Sequence, residues 1–312
     1  MLGILLLFQA TPSSISASNR QTTTAMKHFI LLFLSITVLS AFGQDGEYHL
    51  NKKYKMNKAG KIDLRLSDAK VVILGIAGEE AHVKIDRKVT SKGLFYSSTN
   101  EFNIIVENES GDLIIKEIKR SINSGVITYW NEEYKVEIET PEGASLTVRG
   151  DDGDYYIKNV NGAISLTLDD ADAELSDCKG NQFSFRMDDG DIRMNQGQGS
   201  LEIDADDANV TVYNGKFSSI QANIDDGDLV IETSLVDNGS YNLDAQDGLI
   251  SLTITSGGGE FDIRHDDASV STNGNFKVNE ESESRTNVSL SAGKAKVHLR
   301  ADDARIKLNS SL

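Results

Sequence analysis

The chain has one cysteine, Cys178, among 312 residues. A single thiol excludes an intrachain disulfide, so packing alone must hold the fold together even in an oxidising compartment. Long apolar runs are missing beyond residue 43, where none approaches the roughly 18 residues of a membrane helix. Bases are scarce: Lys and Arg number 31 against 48 Asp and Glu, a net charge of −17, which argues against nucleic acid as a partner. His49, His82, His265 and His298 are scattered, with no metal-ligand spacing, and Cys178 has no histidine near it in sequence.

Residues 26–43, MKHFILLFLSITVLSAFG, read as a secretory signal: a Lys27/His28 start, an apolar run, and small residues at the cleavage site. Residues 1–25 lie upstream of that complete signal and read as a start-site artefact. No cysteine follows the signal as a lipoprotein anchor would require. Export to the periplasm, the outer surface or the extracellular space is therefore expected. Without Arg20 and Lys27 the exported part has 29 bases against 48 acids. Residues 44–120 are near neutral, with 14 bases and 12 acids, whereas residues 121–312 carry 15 bases and 36 acids.

A doubled acidic motif recurs as Asp151-Asp152-Gly153, Asp169-Asp170-Ala171, Asp188-Asp189-Gly190, Asp206-Asp207-Ala208, Asp225-Asp226-Gly227, Gln246-Asp247-Gly248, Asp266-Asp267-Ala268 and Asp302-Asp303-Ala304. The steps are 18, 19, 18, 19, 21, 20 and 36 residues, which is one supersecondary unit repeated many times. Apolar residues alternate on either side of the motif, as in Phe183, Phe185, Met187 and then Ile192, Met194. That is the two-residue period of a half-buried strand, and it changes parity across the acidic pair. The pair is thus a corner with one extra residue. A glycine turn such as Asn161-Gly162 or Asn214-Gly215 closes each unit.

A β-solenoid and an antiparallel meander of hairpins both satisfy this parity. Glycine alternates with alanine at the corner, and alanine adopts positive φ only at a cost, so smallness rather than φ is the expected selection there. The expectation is an all-β chain: one β-solenoid of stacked coils of 18–21 residues. Residues 44–150 would form less regular N-terminal coils with insertions, continuous with regular acidic repeats over 151–312.

The stretches DDGDYYI (151–157), DDGDIRM (188–194) and DDGDLVI (225–231), entered through YKVEIETPEGASLTVRG (134–150), resemble the bacterial "putative adhesin" domains of unknown function. The resemblance spans roughly residues 60–312 and implies an exported β-solenoid concerned with attachment. It brings no catalytic residues with it, and the alanine corners and doubled aspartates depart from its pattern.

Stacked coils would place Asp152, Asp170, Asp189, Asp207, Asp226, Asp247, Asp267 and Asp303 in a ladder at the ~4.8 Å strand repeat. Unit charges at that spacing repel by about 0.9 kcal/mol in water. Two forms of relief remain open: carboxylates bonding backbone N–H groups of their turns, or calcium between rungs. The third acid that calcium would want drifts through Asp154, Asp172, Asp191, Asn209, Asp228, Leu249, Ser269 and Arg305. Phe95, Tyr96, Tyr129 and Trp130, beside bases in segments that break the rhythm, form a candidate platform for a glycan or protein, or else packing that seals the first coils. The function expected is non-enzymatic contact with an envelope macromolecule. The alternatives are a calcium-binding repeat module and a polysaccharide-degrading β-helix enzyme, the latter disfavoured by turns too short to build a groove. Neither a catalytic residue nor a cofactor is expected.

Overall fold

The computed structural model describes residues 47–98, 102–118, 123–291 and 293–311, without the side chains of 91–98 and 123–130. The leader assigned to 26–43 and the segment before it lie outside the described residues. The secondary structure is β throughout. In chain order the strands are β1 (Glu47–Lys55), β2 (Lys61–Leu66), β3 (Ala69–Ile76), β4 (Glu80–Ser98), β5 (Asn103–Glu109), β6 (Asp112–Ile118) and β7 (Asn123–Pro141). They continue as β8 (Ser145–Lys158), β9 (Ile164–Ser176), β10 (Gln182–Ile224), β11 (Asp228–Ser234), β12 (Ser240–Ala245) and β13 (Leu249–Ser256). The last six are β14 (Gly259–His265), β15 (Ser269–Asn273), β16 (Phe276–Glu281), β17 (Arg285–Leu290), β18 (Ala295–Ala301) and β19 (Arg305–Ser310).

All of them join one open sheet that bends at the acidic corners into two faces. Neighbouring coils pair in parallel and in register: Leu146 lies beside Ile164 and Ile164 beside Phe183 before the corner, Tyr155 beside Ala173 and Ala173 beside Ile192 after it. This is the β-solenoid. Alternation supplies its core, because Phe183, Phe185, Met187, Ile192 and Met194 are buried while Arg186, Asp188 and Arg193 between them are exposed. Burying each large apolar side chain contributes about 1.5–3 kcal/mol, and both faces feed a single hydrophobic cluster.

The order of coils in space differs from their order in the chain. At one end, β2 and β3 lie between β8 and the pair β6 and β7: Ile62 neighbours both Leu113 and Leu146, and Val71 neighbours both Val136 and Tyr155. At the other end, β18 and β19 are inserted between the coil of β12 and β13 and the coil of β14 and β15. Val297 neighbours both Tyr241 and Phe261, and Ile306 neighbours both Ile250 and Val270. The 36-residue step between the last two motifs is explained here, since β16 and β17 form an antiparallel pair beside β14 before the chain returns to fill the gap.

Antiparallel strands close both ends. β5 pairs with β6, and β1 and β4 extend the face of β7. Tyr48, Phe102 and Tyr134 stack edge to face at 5.2 and 5.3 Å there, with the Arg87 guanidinium over Phe102. Opposite, Phe276 of β16 meets Phe261 edge to face at 5.5 Å. Such covers shield the apolar ends of a repeat stack. Among the described residues no helix is long and apolar enough to cross a membrane.

Candidate functional site

The acidic corner forms three side-by-side columns along the solenoid edge. In the middle column Asp152 is in register with Asp170, and Asp170 with Asp189. The ladder continues through the corner backbone, where Asp226 N–H donates to Asp206 O, Asp247 N–H to Asp225 O and Asp303 N–H to Gln246 O, at 2.8–2.9 Å. Because the coil of β18 and β19 is inserted, Asp303 stands between Asp247 and Asp267 in space. Asp267 alone of these corner aspartates takes a left-handed φ, 49°.

The first column holds Asp188, Asp206 and Asp225. Desolvation and the neighbouring carboxylates Asp188, Asp225, Asp204 and Asp207 push the Asp206 carboxyl above its ordinary pKa. Gln246 ends that run by donating its side-chain N–H to Asp225 Oδ1 at 2.8 Å.

The third column is a hydrogen-bonded relay. Asp191 N–H donates to Asp172 Oδ1 at 3.0 Å, Asn209 Nδ2–H to Asp191 Oδ1 at 2.9 Å, and Asp228 N–H to Asn209 Oδ1 at 2.9 Å. Arg193 takes the other oxygen of Asp191. One oxygen each of Asp172, Asp191 and Asn209 is therefore engaged between coils. Among the described residues no group of three or more His, Cys, Asp or Glu side chains converges as a metal-ligand set.

Glycine at the corner answers two demands. Gly153, Gly190, Gly227 and Gly248 have φ of 121°, 109°, 147° and 92°, the region that favours glycine. A β-carbon on Gly190 would also collide with the carbonyl oxygen of Ala171 in the adjacent coil, and Gly153 and Gly227 stand likewise against Ala69 and Ala208. The alanine corners are absent from the positive-φ residues. The expectation that smallness rather than φ governs these positions is thereby corrected: glycine and alanine corners are two backbone shapes, which nest alternately from Ala69 to Gly227, after which Gly248 stacks on Gly227.

A column of left-handed residues at the far turn escaped sequence reasoning. Asn159, Asp177, Gln196 and Asn214 have φ of 55°, 57°, 71° and 55°, a conformation Asn and Asp tolerate. Their 18- and 19-residue spacing, the same as that of the corners, was the available signal.

The remaining candidates do not converge. Cys178 is fully buried within the core, and burial pushes its thiol up to about 11. His265 Nε2 lies 3.1 Å from Thr286 Oγ1, His49 Nδ1 lies 2.7 Å from Asp86, and His82 bridges Asn51 and Glu139. The platform residues Phe95 and Tyr96 belong to β4 and Tyr129 and Trp130 to β7, whose strands pair antiparallel, with Lys92 beside Tyr129 and Ser91 beside Trp130. Their side chains lie outside the described residues. Two shallow depressions, each of about 410 Å³, adjoin one another on the outer surface across β12, β18, β14 and β17, sharing Arg264 and Arg300.

Among solved structures, the chain is similar to a "putative adhesin" from Parabacteroides distasonis, at 9% identity and TM-score 0.45 over 85% of this chain and 98% of that one. It is also similar to a "putative lipid binding protein" from the same organism, at 12% identity and TM-score 0.42 over 85% and 98%. A "putative cell adhesion protein" from Clostridium sporogenes aligns at 15% identity and TM-score 0.27 over 85% and 100%. No curated protein matches the sequence. Residues 58–309, which hold every corner and nearly every strand just described, match the family model of the Toastrack DUF4097 domain, and the chain belongs to that family.

Proposed function

We propose that this chain is a non-enzymatic, exported β-solenoid of the cell envelope whose rigid outer faces hold another macromolecule, a glycan or a protein. The observation that carries the reading is the fate of the acidic motif. Its backbone groups bond from coil to coil in the corner ladder, and the carboxylates of Asp172, Asp191 and Asp225 accept hydrogen bonds from the next coil, the first two in the relay that continues through Asn209 to Asp228. Catalytic carboxylates need instead to face a substrate across a cleft. The apolar leader at 26–43 supports export, and a periplasmic, surface or extracellular destination satisfies the same argument.

Crosslinking in the producing cell, followed by fractionation, tests the proposal. Recovery with one envelope polysaccharide or protein is the expected result. Turnover of an acidic or neutral polysaccharide that disappears on changing Asp189 and Asp226 would overturn it.

A further inference from the structure

The inserted coil assembles a charge pattern that no linear segment contains. On the outer surface, Asp244 of β12 faces Arg300 of β18, Arg300 faces Arg264 of β14, and Arg264 faces Arg285 of β17. Three arginines from adjacent strands thus stand directly opposite one another, an arrangement that is destabilising in a sheet unless something offsets it. Their side chains are 72%, 48% and 66% exposed for Arg264, Arg285 and Arg300.

The acids nearby offset it unevenly. Arg285 donates to Asp262 Oδ1 at 2.8 Å, whereas Arg264 and Arg300 reach Asp262 and Asp302 only at ion-pair distances of 4.0 and 3.5 Å. Arginines in the regular coils are held more tightly, since Arg186 bonds Asp204 through two nitrogens at 3.0 and 2.6 Å. Arg264 and Arg300 therefore keep most of their guanidinium donors for solvent or a ligand. The adjoining row of the same face runs Gln221, Asn242, His298, Asp262, Asn287. It is made of amides, an imidazole and one carboxylate, groups that bond hydroxyls.

We infer that this surface binds an acidic polysaccharide, with the arginine row gripping carboxylate or sulfate groups and the amide row gripping ring hydroxyls. The guanidinium fork matches both anions in bidentate fashion. Neighbouring strands stand ~4.8 Å apart, close to the length of one pyranose ring, so successive arginines meet successive sugars of a chain laid across the strands.

The inference rests on the contact-scaffold reading, and the experiment separates the two. The exported chain is titrated with labelled polygalacturonate and chondroitin sulfate, with dextran as the neutral control and phosphatidylglycerol vesicles as a competing anionic surface. Binding of an acidic glycan that weakens with salt is expected, at least tenfold weaker in R264Q/R300Q and unchanged in R186Q. Relief of like-charge contact keeps the melting midpoint of R264Q/R300Q at or above that of the parent. R264K/R300K, which retains charge without the fork, is expected to fall between the two and serves if the first variant misfolds. Equal binding of dextran, preference for the vesicles, or an affinity indifferent to R264Q/R300Q overturns the site. A cellular crosslink that survives R264Q/R300Q overturns this site while leaving the scaffold reading intact; absence of any crosslink to the parent chain overturns the scaffold reading itself.

Discussion

The hydroxyl of Tyr155 lies where a β-carbon on Gly150 would be. The two residues flank the first regular corner, and the tyrosine, fully buried, fills space that an inward side chain would otherwise take. Its hydroxyl has no hydrogen-bond partner, and burial holds its pKa well above the usual phenol range. Gly150→Ala is expected to cost about 1–3 kcal/mol through overpacking. Tyr155→Phe is expected to be neutral or stabilising by up to about 1–2 kcal/mol, since an unpaired buried donor is removed. In urea unfolding the double variant should regain part of the Gly150→Ala loss, and strict additivity would show that the two residues do not share that space.

Asn209 is the neutral member of the third column, donating to Asp191 and accepting from Asp228. Asn209→Asp removes the donor and sets a carboxylate against Asp191. A loss of about 1–2 kcal/mol at low salt is expected, shrinking as salt is added. Thermal melts at two ionic strengths measure it, and a variant stabilised by millimolar calcium would mean that a metal site had been completed.

Asp206 carries a raised pKa in the folded chain. For an acid shifted upward, the native state holds its proton more firmly than the unfolded chain does. The favourable contribution is therefore present below the unfolded pKa and disappears as pH rises through the folded one. At neutral pH the column repels itself, so Asp206→Asn should raise the melting midpoint slightly. Calcium and magnesium at equal ionic strength should act alike; a shift of many degrees confined to calcium would favour the metal reading of the corner.

Cys178 is shifted up from 9.0 to about 11 by desolvation first of all. Its contribution to stability is complete below pH 9 and fades between pH 9 and 11, as the unfolded thiol ionises and the buried one does not. The full effect is on the order of 2–3 kcal/mol. Thiol titration should be very slow in the native chain and rapid in denaturant, and fast native labelling would place the thiol at the surface.

Much of this architecture was legible because it is periodic. The parity change across Asp188-Asp189 named both inward sets, Phe183, Phe185, Met187 and Ile192, Met194, and each of these is buried. Local pattern fails where a choice depends on which coil lies alongside. The strand around Val297 alternates like any other, so nothing in it says that its neighbours are Tyr241 and Phe261. For the same reason Arg264, Arg285 and Arg300 look unrelated until the coil is seated. The glycine corners were misread because φ at Gly190 answers to its own backbone, whereas the clash with Ala171 belongs to the stack, and sequence spacing separates neither.

The coil of β18 and β19 also sets a schedule. A chain emerging from its N-terminus can close corner after corner as far as β13 with only residues already made: β6, β7 and β8 each pair with the earlier β2 and β3, and from β8 on the coils stack in sequence. β14 and β15 must then wait, since the strands that join them to β12 and β13 are supplied from residues 295–310. Until those arrive, two parallel edges stay open to whatever strand is nearest, which is the hazard of any unpaired edge. Completion of this molecule is a single late event.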